Sequence, residues 1–318
     1  MMTSLAILLL VQTPRYDPLY VSSKKIETVL ETWTDQARGR DVPVRLGLPS
    51  DKEPHPVVIF SHGLGGSRMN NTTLLEHWAR RGYVAVWIQH LGSDEGVWRT
   101  APRRDAMQAM QKAASGQNLQ LRLADVAFVV SELKTRSDQK DHVLGLRIDT
   151  EKIGMSGHSF GAVTTQGVSG QSFPGVGARF TLPEIKAAVM FSPSPPAVGD
   201  PATAFGSVRI PWLLMTGTKD ESPIGNKSPE DRLRVFPAVG TTEKYQLVLK
   251  DGTHGAFNDR SRERGAGSRN PNHFRLTLAL STAFWDAYLK GDSKAVEWLK
   301  GDGARSLLEP GDLWEIGR

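Results

Sequence analysis

Three residues of this chain could act together on a carbonyl carbon. Ser159 lies in Gly157-His158-Ser159-Phe160-Gly161, Asp220 closes Thr216-Gly217-Thr218-Lys219-Asp220, and His254 closes Gly252-Thr253-His254. A serine hydroxyl is a poor nucleophile at neutral pH. It needs a base within hydrogen-bond reach, and that base needs a carboxylate to orient it and stabilise its charged form. The tetrahedral intermediate of acyl transfer also needs donors for its oxyanion. The N–H of Phe160, next after the serine, is one candidate. Leu64, within the glycine loop His62-Gly63-Leu64-Gly65-Gly66, is the other.

Each assignment has rivals. For the acid, Glu221 is adjacent, Asp200 follows the preceding strand and Asp251 lies near the histidine. Asp220 is preferred because a turn directly after a strand holds a side chain rigidly. For the base, His62, His90, His158 and His273 compete with His254. His62 opens the glycine loop and is expected to brace it, and the turn at Ser159 should aim His158 into or behind the sheet. His90, at a strand end, and Trp98 are candidate substrate contacts.

The elements that must position these residues follow from the apolar pattern. Ile26–Trp33 alternates apolar and polar residues and Val42–Pro49 looks extended, so an antiparallel pair is expected to begin the sheet. Short continuous apolar runs, as expected of strands buried on both faces, occur at 56–61, 83–88, 185–191, 211–217 and 245–249, with another leading into Gly157. Helical spacing is predicted for Thr72–Arg81, stopped by Gly82, for about Arg103–Ala114, for Leu119–Thr135 and for about Phe274–Leu289. Strand, helix, strand in this rhythm gives an α/β fold: a mostly parallel central sheet of about eight strands with helices on both faces. Ser159, Asp220 and His254 each follow a strand, so one sheet edge gathers them. Gly157 and Gly161 flank a sharp strand-to-helix turn at which nearby side chains would collide. Residues 89–118 form an insertion at a strand's carboxyl end, where open α/β sheets bind ligands. With the loop at 171–183 it is expected to wall the pocket.

Composition bounds the rest. The 318 residues are 39% hydrophobic and 23% charged, with a net charge of +5, an ordinary globular balance. Arginines and lysines are scattered and read as solvated surface rather than a nucleic-acid footprint, and the run at 260–264 mixes signs. The absence of cysteine excludes disulfides, thiolate nucleophiles and cysteine-based zinc sites. Neither a zinc-protease nor a P-loop motif occurs. The seven apolar residues Leu5–Val11 are too few to span a bilayer but suit the core of a signal peptide, although no basic residue precedes them. Residues 1–20 are therefore a signal-like or disordered segment: the chain is exported if this run is a signal remnant and cytoplasmic otherwise. Residues 21–318 read as one domain.

On the four motifs quoted, the chain resembles the α/β-hydrolase superfamily from about Ile26 to Leu289. Within it the chain is similar to dienelactone-hydrolase-like and platelet-activating-factor-acetylhydrolase-like serine esterases, and the turn after 211–217 also looks like that of bacterial cutinase-type polyester hydrolases. Dienelactone hydrolases proper use a cysteine nucleophile, which this chain lacks. Acetylhydrolases of the platelet-activating-factor type carry their acid one strand earlier, where this chain has Phe191-Ser192-Pro193-Ser194. The resemblance implies a serine hydrolase of small-molecule carboxylic esters working through an acyl-enzyme, with no metal and no organic cofactor. The same side chains would serve an amidase or peptidase, and a catalytically inactive hydrolase fold that binds a ligand is the alternative from another class. Acyl length, alcohol type and oligomeric state do not follow from the sequence.

Overall fold

The computed structural model describes residues 16–222, 224–225, 227–240, 242–259 and 270–318. The apolar run at 5–11 and the mixed-sign run at 260–264 lie outside the described residues. The strands are β1 (Glu27–Asp35), β2 (Arg40–Leu48), β3 (His55–Ser61), β4 (Val84–Ile88), β5 (Ile148–His158), β6 (Ile185–Phe191), β7 (Trp212–Lys219), β8 (Lys244–Thr253) and β9 (Leu313–Gly317). They form one sheet in the order β1-β2-β4-β3-β5-β6-β7-β8-β9. From β4 to β8 all neighbours are parallel; β1 with β2, β2 with β4, and β8 with β9 are antiparallel.

The apolar runs behave as strands covered on both faces. In β3, Val58 and Phe60 join a core containing Trp78 of the helix Thr72–Arg80 and Leu280, Phe284 and Trp285 of the helix Pro271–Leu289. The alternate residues Val57 and Ile59 pack on the other face with Val126, Val129 and Leu133 of the helix Gly116–Ser137. A period of two thus divides one apolar run between two cores. Helix ends follow local chemistry: Ser115 caps the 116–137 helix by accepting from Asn118 N–H, and Gly82, at φ 88°, takes the left-handed turn after the first helix.

The sheet extends one strand beyond the run expected to be last. β9 adds antiparallel to β8, pairing Lys244 with Gly317 through Val248 with Leu313. Among the described residues no helix is long and apolar enough to cross a membrane.

Candidate active site

Three parallel strands end immediately before the three residues that could do chemistry. β5 stops at His158, β7 at Lys219 and β8 at Thr253, so Ser159, Asp220 and His254 are the first residues past their strands. Ser159 has φ 57° and ψ −115°, a strained conformation for a non-glycine residue. Its N–H bonds Phe191 O at the end of β6, 2.9 Å away, and the helix Phe160–Val168 follows at once. Both flanking glycines are needed there. A Cβ on Gly157 would run into the carbonyl of Gly161, and one on Gly161 into the carbonyl of Ser61.

Asp220 is fully buried, and each of its carboxylate oxygens has a donor. Oδ1 lies 2.7 Å from His254 Nδ1 and 3.0 Å from Arg232 Nε; Oδ2 accepts from the Thr216 hydroxyl at 2.9 Å. Burial alone would push the carboxyl up, but the His254 hydrogen bond and the Arg232 charge hold it below the usual carboxylate range. The His254 carbonyl accepts from His158 Nε2–H at 2.9 Å. Burial lowers the pKa of His158 to about 3, so it stays neutral and serves as a brace. Among the described residues His254 Nε2 has no partner, and His254 and Ser159 line the same cavity. The rival acids are engaged elsewhere. Asp200 caps a helix by accepting from Thr203 N–H, Asp251 pairs with Lys219 at the surface, and Glu221 is exposed.

The cavity has a volume of about 730 Å³, within the ordinary range for small-molecule sites. Leu64, Met110, Leu119, Phe160, Val163 and Phe173 give it apolar walls. Both segments expected as walls contribute, Met110 and Ala114 from the insertion and Gln171, Phe173 and Pro174 from the later loop; the loop at 194–198 and the residues Ser222, Ile224 and Lys227 add to them. The N–H groups of Leu64 and Phe160 make no backbone hydrogen bond among the described residues. The insertion is fastened to the glycine loop: Gly65 N–H bonds Ser93 O, Glu95 N–H bonds Gly66 O, and Trp98 Nε1–H bonds Gly65 O at 2.8 Å.

Two residues read from the sequence as substrate contacts sit elsewhere. His90 does not line the cavity. It is fully buried, with Nε2 2.9 Å from Ser61 Oγ and Nδ1 3.1 Å from Asp125 Oδ2. This second Ser–His–Asp array is sealed inside the protein, and burial lowers the pKa of His90 to about 4. Asp125 draws the side chain inward because it also neutralises Arg38 and Arg40. Trp98 likewise lies outside the cavity lining, over the glycine loop.

The sequence reading also missed two arginines by treating them as surface. Arg232 is buried at the site, donating through Nε to Asp220 O at 2.7 Å and through one terminal nitrogen to Ser192 O and Pro193 O. Arg122 is buried beneath the glycine loop, with both terminal nitrogens on the His62 carbonyl. Neither contact has a local sequence signal, because the partners lie 12 to 60 residues away.

The mostly parallel sheet, its flanking helices and the strand-to-helix turn at a glycine-flanked serine define an α/β-hydrolase fold. The family model for platelet-activating factor acetylhydrolase, isoform II, matches residues 38–142, from just before β2 through the glycine loop and the insertion to just past the helix Gly116–Ser137. No curated protein matches the chain. The fold and this match make the chain a serine hydrolase of the carboxylic-ester class, similar to those acetylhydrolases. The match ends before Ser159.

Proposed function

We propose that the chain hydrolyses carboxylic esters through an acyl-enzyme formed on Ser159. His254 Nε2 takes the serine proton as Ser159 Oγ attacks the ester carbonyl, then returns it to the departing alcohol. Asp220 holds Nδ1–H and stabilises the imidazolium formed in between. The Leu64 and Phe160 N–H groups receive the oxyanion. A water molecule, deprotonated by His254, then releases the acid. The observation that carries this reading is the 2.7 Å Asp220–His254 contact, which leaves Nε2 as the free ring nitrogen beside a cavity that Ser159 also lines.

Ser159→Ala is expected to lose p-nitrophenyl ester turnover while keeping the wild-type melting temperature. Undiminished turnover in that variant would sink the assignment. A graded panel of acyl lengths, run beside aminoacyl amides, separates an esterase from an amidase. Failure of well-folded wild-type protein to react with a fluorophosphonate would favour a binding protein instead.

A further inference from the structure

We propose that Arg122 is a positioning residue that holds the two oxyanion donors in register; this rests on the reading of Ser159 as nucleophile and of Leu64 and Phe160 as donors. Arg122 comes from the helix Gly116–Ser137 and is wholly buried, yet among the described residues it forms no ion pair with a carboxylate. Its guanidinium touches two residues, His62 and Phe160. Both terminal nitrogens donate to the His62 carbonyl, one of them at 3.1 Å, and the other also lies 3.3 Å from His62 Nδ1. Its central carbon lies 4.6 Å from the ring centroid of Phe160, over the face of the ring. One rigid planar group therefore touches the residue that opens the glycine loop and the residue that follows Ser159.

From His62 the register passes to Leu64 through a single peptide plane. His90 N–H donates to His62 Nε2 at 3.0 Å, so the neutral ring carries its hydrogen on Nδ1. Burial, with the Arg122 charge beside it, keeps that ring neutral. His62 Nδ1–H donates to the Gly63 carbonyl at 2.6 Å, and Gly66 N–H donates to the same oxygen at 3.0 Å. In a trans peptide the N–H points opposite to the C=O. Fixing the Gly63 carbonyl inside the loop thus turns the Leu64 N–H out of it.

Packing alone gives no reason for an arginine at this place. Burying a guanidinium without a directly paired carboxylate is costly; Asp125 and Asp94 favour its charge only from a distance, and Arg122 Nε has no acceptor among the described residues. A flat cation that grips one carbonyl and lies on one ring suits the register of two loops better than the filling of a core.

The test compares Arg122→Lys and Arg122→Met with wild type. Lysine keeps the charge but can neither fork onto the carbonyl nor lie flat on the ring. Three quantities are measured: kcat and KM for a p-nitrophenyl ester, the melting temperature, and the inhibition constant of an alkyl trifluoromethyl ketone. In the ketone adduct Ser159 Oγ bonds the carbonyl carbon, the serine proton passes to His254, and the C=O π pair becomes the oxyanion. Loss of one oxyanion donor costs roughly 10²–10³ in kcat. Misalignment is expected to cost about 10-fold in the lysine variant and about 100-fold in the methionine variant, with KM within about twofold. Ketone affinity should weaken by the factor lost from kcat/KM, since both report the tetrahedral state. Wild-type kcat in either folded variant overturns the proposal, as does a fall in kcat with ketone affinity unchanged, or a fall explained by the unfolded fraction. If the methionine variant does not fold, the lysine variant decides alone. Retained turnover in Ser159→Ala would instead overturn the function on which this inference rests.

Discussion

Replacing Asp220 by asparagine removes a charge from the proposed mechanism while leaving its geometry almost intact. Asp220 Oδ1 accepts from His254 Nδ1–H and lies in an ion-pair contact with Arg232, so only the asparagine carbonyl oxygen fits that position. The amide nitrogen then faces Thr216, whose hydroxyl can turn to accept. His254 keeps its hydrogen on Nδ1, and the imidazolium formed during attack loses only its counter-charge. Two unit charges about 4 Å apart interact by about 4 kcal/mol at an effective dielectric constant of about 20. At about 1.36 kcal/mol per decade that is a loss of about 10³ in kcat. The assay is the initial rate of p-nitrophenyl acetate hydrolysis by purified Asp220→Asn beside wild type, with circular dichroism to verify the fold. The melting temperature should also fall, because a buried Arg232 is left without its carboxylate, a change that typically costs about 3–5 kcal/mol. Asp251→Asn and Glu221→Gln, altered at exposed positions, should stay within about twofold of wild type. A folded Asp220→Asn enzyme within tenfold of wild-type kcat would show that the Asp220 charge does not support the base.

Much of this architecture is written locally. Val57 to Phe60 is apolar without interruption because two cores divide its residues, and the glycines around Ser159 reflect a turn with no room for side chains. Asp220 and His254 could be picked out because strand ends are rigid places, and each does follow a strand directly. What escaped depends on partners distant in sequence. A charged residue is read as surface by default, yet Arg122 and Arg232 are buried because backbone carbonyls of other segments receive their N–H groups. His90 also stands at a strand end, but a strand end fixes position and not the direction of a side chain. Asp125, 35 residues away, turns it inward. β9 is five residues long and draws its register from β8, so its own sequence says little about it.

Two further variants probe the scaffold. Gly161→Ala places a Cβ against the Ser61 carbonyl, a contact that no flexible side chain can relieve. It should destabilise the protein by about 3 kcal/mol or more and abolish turnover, and a Gly161→Ala enzyme with wild-type melting temperature would refute the steric role assigned to that glycine. His77 tests the effect of pH on stability away from the site. Its Nε2–H donates to Pro18 O at 3.2 Å, and burial lowers its pKa to about 4. In the unfolded chain a histidine titrates near 6.5. Between pH 6.5 and 4, therefore, the unfolded chain binds a proton that the folded protein does not, and stability falls as pH falls through that window. From pH 7 to pH 5 this one group should cost about 2 kcal/mol. Glutamine can keep a hydrogen bond to the Pro18 carbonyl without titrating. His77→Gln should therefore narrow the difference between urea-unfolding free energies at pH 7 and pH 5 by about 2 kcal/mol. His90 and His158, lowered in the same direction, maintain the remaining slope in that variant. An unchanged difference between the two pH values would mean that His77 takes up its proton in the folded protein as readily as in the unfolded chain, and that its burial does not exclude the charge.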